Sequence, residues 1–433
     1  MSKPNVLLVS IDALKPEFIL EQAAHGVTLP TISALMEQAL VAEQGMQSVF
    51  PTFTYPSHQS MITGVNPNVH GIVNNGIFDP KKEHNGAWHW FVNQNVITLW
   101  EAAKNAGYVV GSAAFPTSIG AKGDYILPEF WWDGSDIDHK FIDAVSVPQG
   151  LAAELVAATS VCPNGLDLTD EGDAQRFTAA HWVLDTKIRP VVADGKSFFM
   201  TAYFASFDES AHIHGVSSKE AANSLMKIDT MLGKLIATAK DIAGDNLVVC
   251  VCSDHGSLDN QFNISPNVVF TEKGLISVDD AGNMIDWKAF CQRAGGVGEI
   301  RMHADATEAD RQLVLDILNE LQADPAKGIL EVLTNDMAQA RGGFPESDFV
   351  VISRKGFEIR EDLTGPYCHT HLSQAAQHGY SEQFEEMRAS FILSVPGVAP
   401  KHIGMVKLID VAPTLAGVMG IELPKAQGKS VLA

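Results

Sequence analysis

Short, nearly uninterrupted apolar runs separated by amphipathic stretches organise this chain. Val6 to Ile11 is a β-branched and leucine run that stops at Asp12, the pattern of a strand buried on both faces that delivers a polar residue at its C-terminal edge. Three further runs repeat it: Ser197 to Phe207 leads to Asp208, Asn246 to Ser253 leads to Asp254, and Ser390 to Val395 leads to Pro396-Gly397. Between them, Val96 to Ala106 and Ala221 to Lys240 carry apolar residues at helical spacing. Residues 409–420 read as a helix with proline in its first turns and glycine at its end. Buried runs alternating with helices predict a doubly wound α/β fold, a mostly parallel sheet flanked by helices, in which ligands collect at the C-terminal strand edge.

The stretch 260–370 breaks this alternation. Thr307 to Ala323 predicts a charged amphipathic helix and Leu333 to Arg341 a second helical piece. Leu275 to Val278, Gly298 to His303 and Asp348 to Ser353 read as short strands. We therefore expect residues 1–259 and 371–433 to form the core and 260–370 to form a small inserted α+β cap. No repeat of fixed period and no low-complexity tract is visible.

Composition narrows the function classes. The 433 residues are 46% hydrophobic and 19% charged, ordinary for a globular chain with a large core. Thirty Lys+Arg against 52 Asp+Glu give a formal charge of -22, which repels polyanions and argues against stable nucleic-acid or anionic-membrane partners. A protein of this charge that handles phosphate esters needs local positive charge, and bound metal can supply it. The five cysteines, at 162, 250, 252, 291 and 368, are odd in number and form no CxxC pair, so no disulfide framework is expected; Cys250 and Cys252 fill a buried strand. The first apolar run is too short for a signal segment, and no stretch approaches about 18 apolar residues. The expectation is a cytoplasmic protein with no membrane partner; a homodimer is left open.

Four segments concentrate metal-ligand residue types just after expected strands: Asp12; Asp208-x-x-x-His212; Asp254-His255; and His378-Gly379-Tyr380. Zinc accepts imidazole nitrogen and carboxylate oxygen, and six such groups at one sheet edge would suit two ions. Taken singly, each has a plainer reading, since a strand-end Asp caps turns and a lone His is commonly a hydrogen-bonded structural residue. The Asp254-His255 pair is the stronger signal, because a charged pair straight after a buried strand carries a desolvation cost that a metal would offset. A fifth segment runs from Phe50 to Gly64 and is followed by Val69-His-Gly-Ile-Val-Asn-Asn75. A threonine hydroxyl there needs a base or a metal to become a nucleophile. A helix starting near Pro56 would aim free N–H groups at an oxyanion beside Thr54. The alternative is that Thr52, Thr54 and Ser57 only cap that helix.

The string Pro51-Thr-Phe-Thr-Tyr-Pro-Ser-His58, with Thr63-Gly64 and His70-Gly71, resembles the nucleophile segment of the nucleotide pyrophosphatase/phosphodiesterases of the alkaline phosphatase superfamily. Asp12, then Asp208 and His212 with Gly215 beyond, then Ser253-Asp-His-Gly256 and His378-Gly-Tyr380 follow in the family's order, over residues 5–260 and 371–425. The resemblance implies two zinc ions. One would be held by Asp208, His212 and His378, the other by Asp12, Asp254, His255 and the Thr54 oxygen. It also implies attack by Thr54 on phosphorus, a covalent threonine-phosphoryl intermediate, and Asn75 with the Thr54 backbone N–H donating to a non-bridging oxygen. His58 is expected to hydrogen-bond within the nucleophile loop or to support the metal-binding residues from behind. His214 is expected to point away from the site, while His369 and His371 would line the pocket or belong to a plain loop.

Residues 44–75 contain no Arg or Lys to meet the extra charge of a monoester, which favours a phosphate diester or pyrophosphate. Phe53 and Tyr55 flank Thr54, and Trp88, Trp90, Phe115, Tyr125, Phe130, Trp131 and Trp132 follow. Tyr55 is the aromatic best placed to contact a base or leaving group. The expected function is therefore a two-zinc phosphodiesterase or nucleotide pyrophosphatase acting on a small phosphate ester, nucleotide-like in kind. The alternatives are a phosphonoacetate-type carbon–phosphorus hydrolase, in which Lys122 would meet the carboxylate, or a phosphomonoesterase. A catalytically silent scaffold is disfavoured by the presence of the nucleophile and all six ligands.

Overall fold

The computed structural model describes residues 3–84, 86–131, 139–163 and 165–432. Its centre is an eight-stranded sheet of β1 (Asn5–Ile11), β2 (Leu40–Ala42), β3 (Val109–Ala113), β4 (Tyr125–Leu127), β5 (Phe198–Phe204), β6 (Leu247–Cys252), β7 (Phe391–Ser394) and β8 (Lys401–Ile403), in the order β8-β2-β7-β6-β1-β5-β3-β4. In β1, Leu7, Val9 and Ile11 turn to one apolar layer, shared with Leu225, Ile228, Leu232 and Leu235. Val6 and Leu8 turn to the other, shared with Trp100 and Leu415. The period of two thus feeds two helical layers, which is why the strands read as continuous apolar runs.

The helices that matter here are α1 (Thr54–Thr63), α2 (Leu99–Asn105), α3 (Ser206–His214), α4 (Lys219–Ala243) and α5 (Val411–Met419). The Ser218 side chain caps α4 by accepting from Ala221 N–H, and Thr98 caps α2 by accepting from Glu101 N–H. Parallel register sets one edge of the sheet: Ser10 lies beside Tyr203 on β5 and Cys252 on β6, so Asp12 and Asp254 emerge at one level.

Several expectations need correction. The run to Phe207 is a strand only to Phe204; Asp208 and His212 stand instead on α3, one helical turn apart. The Ser390–Val395 run yields β7, antiparallel to both β6 and β2, so its C-terminus leaves the opposite edge of the sheet. A short buried strand has the same apolar signature in either direction, and only pairing decides. The helix expected near Pro56 begins at Thr54, and that at Val96 begins at Leu99.

Within 260–370, strands Ala289–Ala294, Val297–Met302, Phe349–Ser353 and Ile329–Thr334 form a four-stranded antiparallel sheet in that order. Leu333 belongs to the last of these strands, and the helix after it spans only Asn335–Ala340. Helix Glu308–Ala323, opened by a Thr307/Asp310 capping box, packs Val314, Ile317, Leu318 and Leu321 into an apolar cluster with this sheet. The segment meets the core where Gly295 and Gly379, both at positive φ, approach back to back. Gly296 N–H donates to the His378 carbonyl at 3.1 Å. All five cysteines are free, and among the described residues no helix is long and apolar enough to cross a membrane.

Candidate active site

The edge where β1, β5 and β6 end carries two buried triads, Asp208/His212/His378 and Asp12/Asp254/His255, each with one ligand atom per residue inside 4.8 Å of the others. The two adjoin, since the His255 and His378 rings stack with centroids 3.8 Å apart. His212 Nε2 lies 2.9 Å from Asp208 Oδ2, and His378 Nε2 lies 3.8 Å from the same oxygen. In the other triad, His255 Nε2 is 3.0 Å from Asp254 Oδ2 and 3.5 Å from Asp12 Oδ1.

The chemistry of this donor set fits a cation in each triad. Every imidazole turns Nδ1 to a backbone carbonyl: His212 to Ala376 at 2.7 Å, His255 to Gly256 at 3.2 Å and His378 to Thr52 at 3.3 Å. That arrangement places a proton on Nδ1 and turns each Nε2, the atom free to bind a cation, toward carboxylate oxygens. Asp12 Oδ1, Asp208 Oδ1 and Asp254 Oδ2 are buried without a hydrogen-bond partner. Lone pairs meeting lone pairs in a buried site call for positive charge between them. Titration points the same way. Burial, with the carboxylates of Asp254 and Asp208, pushes Asp12 well up. Burial and the neighbouring His255 and His212 hold His378 well down, neutral as a ligand must be. Burial opposes charge on His212, yet Asp208 beside it pushes the imidazole up to about 9, a proton standing where a cation could.

Thr54 opens α1 at this edge, its Oγ1 3.3 Å from His255 Nε2. None of the three hydroxyls that might have capped α1 does so. The N-cap is Phe53 with no side-chain bond, Thr52 Oγ1 donates to the Tyr380 carbonyl, and Ser57 Oγ meets Ser48 Oγ. Tyr55 N–H donates to Asn75 Oδ1 at 2.8 Å and Pro56 has no N–H, so the first-turn donor left over at this helix end is Thr54 N–H. His58 lies in the helix rather than a loop. Its Nδ1 meets the Thr54 carbonyl at 2.8 Å and its Nε2 the Ser10 hydroxyl at 2.9 Å.

A cavity of about 1030 Å³ opens over this floor, lined by Thr54, Asn75, Asp12, Asp208, His212 and His378 among others. Tyr55 shares one wall with Trp88 and Trp131, but its ring is nearly covered: its phenol donates to Glu129 at 2.7 Å and Trp88 lies edge-on at 5.3 Å. The Phe53 ring stands 4.8 Å from His378. Trp90, Phe115, Tyr125 and Phe130 are absorbed in packing, and Trp132 lies outside the described residues. Lys122 is exposed and does not line the cavity; neither do His369 and His371, and His214 is exposed at the end of α3.

Sequence reasoning missed four residues of this cavity. Tyr203, whose hydroxyl donates to Asp12 Oδ2, was signalled only by a polar ring near the end of an apolar strand. Glu129 and Arg293 carry no local signal, for their partners lie far away in sequence, and Arg360, paired with Glu358 two residues before it, reads as an ordinary charged pair on a strand end.

Comparison with known proteins gives a consistent picture. A sequence profile for type I phosphodiesterase / nucleotide pyrophosphatase matches residues 6–381. Ectonucleotide pyrophosphatase/phosphodiesterase family member 1 of Mus musculus is 28% identical over 256 residues, covering 58% of this chain and 24% of that protein. The bis(5'-adenosyl)-triphosphatase ENPP4 of Homo sapiens is 23% identical over 256 residues, covering 58% and 47%. The chain thus matches only about a quarter of the length of the first of these relatives. An inactive form of murine ectonucleotide pyrophosphatase / phosphodiesterase 5, solved in complex with AMP, superposes with a TM-score of 0.67 at 18% identity over 99% of this chain and 98% of that one. The fold is the alkaline-phosphatase-like one.

Proposed function

We propose that this chain, which belongs to the type I phosphodiesterase / nucleotide pyrophosphatase family, is a two-metal hydrolase of phosphate diester or pyrophosphate bonds with Thr54 as nucleophile. The observation that carries this reading is the placement of the Thr54 hydroxyl against His255, at the edge of two buried triads whose carboxylate oxygens lack hydrogen-bond partners. Asp12, Asp254, His255 and Thr54 would hold one ion, and Asp208, His212 and His378 the other. Two Zn2+ there would lower the pKa of the Thr54 hydroxyl and offset the charge of the phosphoryl oxygens. The three carboxylates and a deprotonated Thr54 oxygen together match the four positive charges of such a pair.

The chain's own groups do the rest. Thr54 Oγ1, its proton given up to water, forms a bond to phosphorus as the bond to the leaving oxygen breaks and that oxygen departs with the electron pair, taking a proton from water where it is basic enough; this gives a covalent threonine-phosphoryl intermediate. Water then cleaves that intermediate, returning the hydroxyl to Thr54 and releasing a monoester. Asn75, fixed through Oδ1 on Tyr55 N–H, keeps Nδ2 to donate to a non-bridging oxygen together with Thr54 N–H, where the positive end of α1 adds to the effect. Tyr55, Trp88 and Trp131 form the wall for the group that stays esterified to phosphorus, and we read residues 260–370 as a cap over the mouth of the cavity. A nucleotide-type substrate is supported by the relative named as a bis(5'-adenosyl)-triphosphatase and the neighbour solved with AMP.

Steady-state rates of one zinc-loaded preparation on bis-p-nitrophenyl phosphate, p-nitrophenyl phosphate, a dinucleoside triphosphate and phosphonoacetate test the reading. We expect kcat/KM for the diester and the dinucleotide to exceed that for the monoester by at least about tenfold. Phosphate release from phosphonoacetate with no turnover of either diester would contradict it.

A further inference from the structure

Resting on the function proposed above, we propose that Arg293 and Arg360 form an anion subsite in the catalytic cavity, one that receives a negatively charged leaving group such as the further phosphoryl of a phosphoanhydride. Both line the cavity that holds Thr54 and His378. Arg293 is the penultimate residue of strand Ala289–Ala294, two before Gly295, where the inserted segment meets the His378 loop; its carbonyl accepts from Asn74 Nδ2 at 2.9 Å, one residue from Asn75.

The two guanidiniums are built in. Each donates through one nitrogen to the same oxygen, Glu358 Oε1, at 3.2 Å from Arg293 and 2.9 Å from Arg360. Glu358 is fully buried, and its other oxygen accepts from Asn260 Nδ2 at 3.0 Å. One buried carboxylate thus fixes two five-donor forks, and most of their donors remain for a ligand. Three acids share this rim, each with an oxygen held by hydrogen bonds: Glu361 Oε1 accepts from Arg293 N–H, Asp362 Oδ2 from the Ser265 hydroxyl, and Asp79 from Glu83 and His84 N–H. Lys82 also lines the cavity, so what an anion meets at this end is the free guanidinium donors and an ammonium, set among carboxylates that already hold hydrogen bonds. A diester with an uncharged leaving alcohol has nothing to offer them. A leaving group that bears its own negative charge does.

The test compares Arg293→Ala, Arg360→Ala and Arg293→Lys with the unmodified protein on three substrates. These are ATP, whose leaving group is anionic, thymidine 5'-monophosphate p-nitrophenyl ester, and p-nitrophenyl phosphate, where the extra charge sits on the reacting phosphoryl. Alanine variants should lose at least about tenfold in kcat/KM on ATP, with less than about twofold change on the nitrophenyl diester and partial recovery by lysine. Calorimetric binding of ATP to zinc-loaded Thr54→Ala, with and without Arg293→Ala, should weaken by a similar factor and reads the subsite without turnover. Equal loss on all three substrates, loss confined to p-nitrophenyl phosphate, or unchanged ATP kinetics and binding would each overturn the proposal. Absent turnover of the nitrophenyl diester by the unmodified protein would instead count against the proposed function, and the binding measurement would still decide the subsite.

Discussion

Glu129 shows what burial does to a single side chain beside this site. Burial pushes its carboxyl up to about 7, against the opposing pull of Arg176 and of the Tyr55 hydroxyl that donates to it. A carboxyl whose folded pKa exceeds its usual 4.5 holds its proton more tightly folded than unfolded. Its stabilising contribution is complete below pH 4.5 and is lost as pH rises toward 7, with a limit on the order of 3 kcal/mol. Glu129→Gln keeps an acceptor for Tyr55 and removes the titration. In thermal melts between pH 4.5 and 8, the variant should gain on the parent protein as pH rises to about 7 and then run parallel to it. A gap that stays constant across that window would contradict the buried, titrating carboxyl.

The same scale explains which site residues the sequence revealed. Asp12, Asp254 and His255 were legible because each follows an apolar run that has to be a strand, and Thr54 because its neighbours form a contiguous string. Tyr203, Glu129 and Arg293 act through partners 74 to 219 positions away, which no local pattern encodes.

At the scale of elements, two placements decide the site. The first is the parallel register of β1, β5 and β6, which aligns their C-terminal ends; helix α3 then sets Asp208 and His212 on one face. The i, i+4 spacing of Asp208 and His212 was visible in the sequence, but the apolar run before it hid the strand-to-helix change at Ser206. The second is the contact of Gly295 with the His378 loop. A Cβ on Gly295 would lie 1.9 Å from the His378 carbonyl oxygen, and φ there is +65°. We predict that Gly295→Ala costs at least about 1 to 3 kcal/mol in urea denaturation and lowers retained zinc, because the intruding methyl displaces the loop that carries His378. An unchanged midpoint and metal content would show that this junction does not position His378.

For the whole molecule, the layered α/β architecture was readable because strands buried on both faces and one-sided helices leave different periods in the sequence. The strand order and the reversal of β7 were not, since they depend on pairings between distant segments. Nor did the absence of Arg and Lys from residues 44–75 exclude cations from the cavity, because Arg293 and Arg360 reach it from the far side of the chain. The strongly acidic chain carries three buried carboxylates on its cavity floor, an arrangement that positive charge between the triads would balance. That balance and the position of Thr54 are together the core of the account. The most direct measurement is the turnover of bis-p-nitrophenyl phosphate by Thr54→Ala, alongside its metal content. The account predicts about two zinc ions per chain, as in the parent protein, with activity reduced by at least about 10³-fold. Full activity in a variant that keeps its metal would contradict Thr54 as the nucleophile.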